Sequence, residues 1–184
     1  MIDRINLAYS VPTPRIIKNI LKKNLEGCKS ILDLGCGNIS LLHRLNFDHE
    51  VIGLDIWTPY AKQAIGFKGF IEGDILDCEF ESDSFDAVLM SDSLEHLVKP
   101  LVFSTFLFRR LEKWARKKII IITPSGYFKN PAEANPYQEH KSGWEIMDFQ
   151  CMGYKTYRTL RFNIWRKVLL KPVPTIIAIK TIQK

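Results

Sequence analysis

Four apolar runs in the first half of the chain each finish on an aspartate: KSILDL at Asp33, EVIGLDI at Asp55, GFIEGDI at Asp74 and FDAVLMSD at Asp92. Short runs of this kind, bounded by glycine, proline and polar residues, are strand signatures. A fifth, KKIIIITP at 117–124, is continuously apolar, as a strand covered on both faces is. Segments with helical spacing separate them. Thr13-Pro14 opens a first helix that Gly27 closes, 40–46 is a second, and Thr58-Pro59 opens a third that ends near Gly66. Residues 100–117 read as one long amphipathic helix, its Phe, Leu and Trp facing inward and Arg109, Arg110, Lys113 and Arg116 outward.

Strands alternating with helices imply right-handed crossovers and a parallel sheet clothed on both sides. After residue 124 the character changes. A loop over 124–141 leads to a short helix whose Ser142 and Glu145 fit a capping box, then to alternating segments GYKTYRTLRF and TIIAIKTIQ. These read as a closing strand pair, with Pro172 and Pro174 between the two strands, since proline inside either removes a ladder donor. The expectation is therefore a single α/β domain over 1–184: a helical region at 1–27, a core at 28–124, and a loop with closing strands at 125–184. Its sheet is seven-stranded and mostly parallel, with a C-terminal antiparallel pair.

Composition narrows the class. A chain with 46% hydrophobic and 25% charged residues is ordinary for a soluble globular domain. The start, MIDRINLAYSVPTP, lacks a signal-peptide pattern, and no apolar run reaches the roughly 18 residues of a membrane span. The four cysteines, at 28, 36, 78 and 151, have no metal-knuckle spacing, which points to reduced thiols and a cytoplasmic setting. The net charge of +6 is spread along the chain, so it gives no strong nucleic-acid signal.

In an open α/β sheet, ligands bind beyond the carboxyl ends of the strands, where the four aspartates stand. Within ILDLGCGNIS, Gly35 and Gly37 allow a sharp turn that brings backbone against a ligand. Asp55 follows at close to the roughly 20-residue spacing at which an acid grips ribose hydroxyls. Two nucleotide cofactors compete for this turn. A dinucleotide fingerprint leaves Asp33 unused and sets a carboxylate beside a pyrophosphate that it repels. A cationic sulfonium amino acid instead attracts that carboxylate through its ammonium group, which favours S-adenosyl-L-methionine. Asp74 and Ile75 then offer a polar contact to the adenine edge and an apolar wall for its face.

On these motifs the chain resembles the class I, Rossmann-like S-adenosylmethionine-dependent methyltransferases, in particular the small type 11 domains, over roughly 28–124. The later HKSGW also looks like a loop of some members. The resemblance implies a Rossmann-like three-layer fold in which Asp33, Gly35, Cys36 and Gly37 hold the methionine part of the cofactor. It also implies that Asp55 and Ile56 hold the ribose and adenine, and Asp74 and Ile75 the adenine. One departure stands out: Ile39 occupies the place of the family's third glycine.

Methyl transfer requires alignment and exclusion of water more than acid–base chemistry. Where the attacking atom must lose a proton, the candidates are His96, after the fourth strand, and His140, in the polar loop. A capping or packing role for His96 remains open. A metal site from Glu95, His96 and His140 is not expected, because ligands adjacent in sequence seldom converge. Tyr9, Tyr127, Phe128, Tyr137 and Trp144 read either as an apolar lid or as loop packing. SDSLEH differs from the Asn/Asp-Pro-Pro-aromatic pattern of enzymes that methylate exocyclic or amide nitrogens, so a small-molecule acceptor is favoured. A nicotinamide-dependent oxidoreductase and a non-catalytic methyltransferase-like subunit are the competing classes. Oligomeric state leaves no mark in the sequence.

Overall fold

Isoleucine-rich and leucine-rich strands line up so that successive residues feed opposite faces, and this alternation builds two cores around one sheet. The computed structural model describes residues 15–130, 135–161, 164–165, 168–169 and 172–183, and the statements below concern these. Thr13-Pro14 and Tyr9 lie outside the described residues. The elements in chain order are α1 (Arg15–Asn24), β1 (Ser30–Leu34), α2 (Leu41–Arg44), β2 (Glu50–Asp55), β3 (Gly69–Glu72), β4 (Phe85–Ser91), α3 (Lys99–Ser104) and α4 (Leu107–Trp114). They continue with β5 (Ala115–Pro124), α5 (Ile146–Gln150), β6 (Lys155–Arg161), a two-residue ribbon of β7 (Ile164–Trp165) and β8 (Val168–Leu169), and β9 (Val173–Thr181). The seven-stranded sheet has the order β3-β2-β1-β4-β5-β9-β6. Its first five strands are parallel, and β9 pairs antiparallel with both β5 and β6.

Ile31, Val51, Ala87, Leu89 and Ile120 point to one face, where Ile17, Leu21 and Leu25 of the first helical segment and Leu41 and Leu42 of α2 cover them. Leu32, Leu34, Leu54, Val88 and Met90 point to the other, beneath Trp114, Trp144, Phe149 and Tyr154. Each fully buried aliphatic side chain contributes about 1.5–3 kcal/mol.

Four details depart from the sequence reading. The segment after Thr58-Pro59 is a 3₁₀ helix, Thr58–Gln63, because the chain must extend at Ile65 to bridge Ile39. The long helix over 100–117 is two helices, broken where the Ser104 and Thr105 hydroxyls donate back to Leu101 O and Phe106 turns left-handed at φ +53°. The break exposes Leu101, Phe103 and Phe106, while Arg110 is drawn in to Leu76 O and Arg116 lies on β5. The capping box is Glu145 with Asp148, since Ser142 is committed to Leu94 O and to the indole N–H of Trp144. Pro174 lies inside β9 opposite Leu160, second in the strand, where its carbonyl still accepts Ser125 N–H.

One buried carboxylate staples the amino ends of the central strands. Asp86 accepts the N–H groups of Lys29 at 2.8 Å and Ser30 at 3.3 Å, and faces Arg116 Nε and Lys117 Nζ, each at 3.1 Å. Burial opposes its charge, but the donors outweigh that effect and hold the carboxyl well below the usual range. Because the folded value lies below the unfolded one, this stabilisation is complete above the ordinary carboxylate range near about 4 and fades as pH falls toward the folded value. We expect Asp86→Asn to lose about 2 kcal/mol in urea melts at neutral pH, with the gap to the unmodified chain closing under acid. A gap unchanged by pH contradicts this role.

Candidate active site

Chain order reverses beside β1: β2 and β3 build outward on one side, β4 and β5 on the other. Ligands of open α/β sheets sit at such a switch point. Here a cleft of about 200 Å³ opens over the strand ends, with Gly35, Asp55, Ile56, Asp74 and Ile75 on one wall and Asp92, Ser93 and His96 on the other.

The turn after β1 is fixed by its backbone. Gly35 N–H and Cys36 N–H both donate to Leu54 O, at 2.7 and 3.2 Å. Gly35 has φ +67°, and a Cβ there would lie 2.4 Å from Ser93 Cβ, so only glycine lets the turn lie flush on the segment after β4. Gly37 has φ +64°, and its N–H donates to Asp55 Oδ2 at 2.9 Å. The other oxygen, Oδ1, accepts Trp57 N–H at 2.9 Å. Asp55 is therefore buried yet doubly held; burial pushes its carboxyl up while these N–H groups pull it back.

Of the residues singled out from sequence, Gly35, Asp55, Ile56, Asp74, Ile75 and His96 line the cleft. Asp33, Cys36, Gly37 and His140 do not. Asp33 is 2% exposed, tucked behind the turn with Ser40 Oγ at 3.5 Å. Burial pushes its carboxyl up to about 7, against the opposing pull of Arg44 and Ser40. The same Ser40 caps α2 by accepting Leu42 N–H. The Cys36 thiol packs toward Gly53, and burial pushes it upward. Asp74 stands two residues beyond β3 and caps its own turn through Leu76 N–H at 2.8 Å. At the place of the missing third glycine, Ile39 bridges Ile65 in parallel, with Ser40 N–H donating to Ile65 O and Ile65 N–H to Asn38 O.

The opposite wall is the turn after β4. Asp92 is left-handed at φ +53° and grips the Arg161 guanidinium from the end of β6 with both oxygens. Burial opposes its charge, but the guanidinium holds the carboxyl low. Leu94–His96 forms a 3₁₀ turn that buries Glu95. Thr123 Oγ1 donates to Glu95 Oε2 at 3.0 Å, and burial together with the Asp92 charge pushes the Glu95 carboxyl up to about 8. The Glu95 carbonyl accepts Lys141 N–H at 2.8 Å and Ser142 N–H at 3.0 Å, pinning the HKSGW loop against this turn. His96 and His140 thereby meet edge to face, ring centroids 4.9 Å apart. Burial pushes both imidazoles down. Donor atoms of Glu95, His96 and His140 lie within 4.8 Å of one another, so the expectation that sequence neighbours would not converge is corrected. The long Glu95 side chain and the loop that follows the neighbouring strand β5 supply the convergence.

The aromatic residues divide between the two roles. Tyr137 lines the cleft and meets Trp57, centroids 6.1 Å apart, whereas Trp144 is fully buried with Lys99 Nζ 4.6 Å from its ring centre. Tyr127 is exposed and donates to His140 O. Arg161, Ser93, Trp57 and Asn135 were not singled out from sequence. Trp57 carried a usable signal, directly after the strand-two acid, but nothing local marks Arg161 as the partner of Asp92.

Residues 32–116 match a family described as "Methyltransferase domain". Phosphoethanolamine N-methyltransferase 1 of Arabidopsis thaliana is 30% identical over 148 residues, spanning 72% of this chain and 28% of that protein. An uncharacterized methyltransferase of Schizosaccharomyces pombe is 29% identical over 127 residues, 65% of this chain and 49% of the relative. The chain thus spans about a quarter to a half of the length of these relatives. Among solved structures, the YcgJ protein of Bacillus subtilis aligns with a TM-score of 0.65 at 12% identity, covering 92% of this chain and 99% of that one. A SAM-dependent methyltransferase from Archaeoglobus fulgidus aligns with a TM-score of 0.57 at 18% identity, covering 91% and 95%. Residues 32–116 thus match a methyltransferase domain, and the chain shares the fold of these solved structures.

Proposed function

We propose that the chain transfers a methyl group from S-adenosyl-L-methionine to a small-molecule acceptor. The observation that carries this reading is Asp55, a buried carboxylate at the lip of the cleft whose two oxygens are each fixed by one backbone N–H. A carboxylate has about four lone-pair sites, so two remain for a pair of ribose hydroxyls. Ile56 and Ile75 form the apolar walls for adenine, and Asp74 its polar edge. Gly35, Cys36 and Gly37 carry the methionine part with their backbone, and Asp33 adds negative potential from behind the turn.

Little acid–base work is needed, because the sulfonium already activates the methyl. The chain aligns the acceptor in line with the carbon–sulfur bond and closes the cleft with Tyr137 and Trp57. His96 lines the cleft with His140 edge to face against it, and burial lowers both imidazoles, which leaves them neutral at pH 7 with a lone pair each. Among the described residues no helix is long and apolar enough to cross a membrane. The four cysteines are unpaired, which supports a reducing, cytoplasmic setting.

Titration calorimetry of the full chain is expected to show binding of S-adenosylmethionine and S-adenosylhomocysteine and none of NADH; binding of NADH alone contradicts the reading. Asp55→Ala should weaken S-adenosylhomocysteine by at least about 100-fold, from the loss of hydrogen bonds to a charged group. Gly35→Ala should lower stability by roughly 1–3 kcal/mol and abolish cofactor binding. Adding Ser93→Gly should recover part of that stability by removing the clashing Cβ, and no recovery would show that the contact is not what forbids a side chain at 35.

A further inference from the structure

We propose that Glu95, His96 and His140 bind a divalent first-row transition-metal ion at the acceptor side of the cleft. The inference rests on the methyltransferase reading for its role, but not for its geometry. His96 Nδ1 lies 3.1 Å from Glu139 O, and His140 Nδ1 lies 2.7 Å from Phe128 O. A carbonyl oxygen only accepts, so each Nδ1 carries the proton and each Nε2 is left with a bare lone pair. Metal-binding histidines are prepared in this way, the far nitrogen donating to a carbonyl that fixes ring and tautomer. The third donor is prepared likewise: Glu95 is 3% exposed and its carboxylate accepts the Thr123 hydroxyl. The Glu95 carbonyl holds the loop that delivers His140, so the three donors are within 4.8 Å of one another with no ion present.

Two imidazoles and one carboxylate suit zinc, iron, cobalt or manganese, and three protein ligands leave coordination positions open. His96 lines the cleft, so an ion held here stands at the wall that the acceptor meets. Its chemistry there is Lewis-acidic: an acceptor hydroxyl bound to the ion gives its proton to solvent more readily. The oxygen then forms a bond to the methyl carbon as the carbon–sulfur bond breaks. That electron pair stays on sulfur, and neutral S-adenosylhomocysteine leaves.

The test is Co2+ binding to the full chain, followed by its visible spectrum and by calorimetry, with Zn2+ as competitor and S-adenosylhomocysteine titrated separately. One Co2+ per chain, displaced by Zn2+ and lacking thiolate charge-transfer bands, is expected. His140→Ala and Glu95→Gln should each weaken Co2+ at least about 10-fold and leave S-adenosylhomocysteine affinity unchanged. Transfer of labelled methyl to the small molecules of a cell extract should stop with chelator and return with added Zn2+ or Mn2+. The proposal is overturned if the folded chain binds S-adenosylhomocysteine but no Co2+, if thiolate bands appear, if either variant binds Co2+ as tightly as the unmodified chain, or if transfer ignores the chelator. Co2+ bound as expected without any S-adenosylhomocysteine binding would instead overturn the cofactor reading and leave the metal site standing.

Discussion

A carboxylate that accepts one N–H from each of two turns holds the carboxyl end of this sheet in shape. Asp55 ties Gly37, in the glycine turn after β1, to Trp57, where the chain leaves β2. Both partners are backbone groups, so the contact fixes the course of the chain rather than a side chain. Without it, two neighbouring turns would leave buried donors unpaired, at about 1–3 kcal/mol each. Burial pushes the Asp33 carboxyl up, and the Asp55 charge adds to that push. A site that keeps two acids buried behind one turn favours a cationic ligand over an anionic one.

The second wall is held by main-chain contacts as well. Glu95 uses its carbonyl to pin Lys141 and Ser142 while its side chain turns inward to Thr123. Trp144 is consequently drawn into the core, its indole N–H on Ser142 Oγ at 2.9 Å and Lys99 over its ring. The loop after β5 is thus anchored at its carboxyl end, and Tyr137 is presented over the cleft toward Trp57. Asp92 closes this wall against Arg161, so the C-terminal strands feed back on the geometry of the site they lie beside.

What the sequence made legible follows from where burial is two-sided. β1, β2, β4 and β5 are sandwiched between cores, so their apolar runs are unbroken and each ends near the polar residue that meets the cleft. Long-range commitments were illegible. The amphipathic period across 100–117 runs through Phe106, yet back-bonding by Ser104 and Thr105 and the packing of α4 under Trp144 divide it. Ser142 has the composition of a cap, but Leu94 O in the 3₁₀ turn after β4 and the Trp144 indole claim it. That Asp33 is buried, with Ser40 Oγ beside it, is a tertiary feature that its place before Gly35 and Gly37 does not reveal. The pairing of Asp92 with Arg161 joins residues 69 positions apart, which no local pattern encodes. The convergence of Glu95 with His96 and His140 depends on a 3₁₀ turn and on the docking of a distant loop, both products of tertiary structure.

The most direct measurement is a crystal structure of the chain grown with S-adenosylhomocysteine. The account requires both ribose hydroxyls within hydrogen-bond distance of the Asp55 carboxylate, with the adenine ring between Ile56 and Ile75. A ligand bound away from the β1–β4 switch point, or one whose ribose leaves Asp55 untouched, contradicts it.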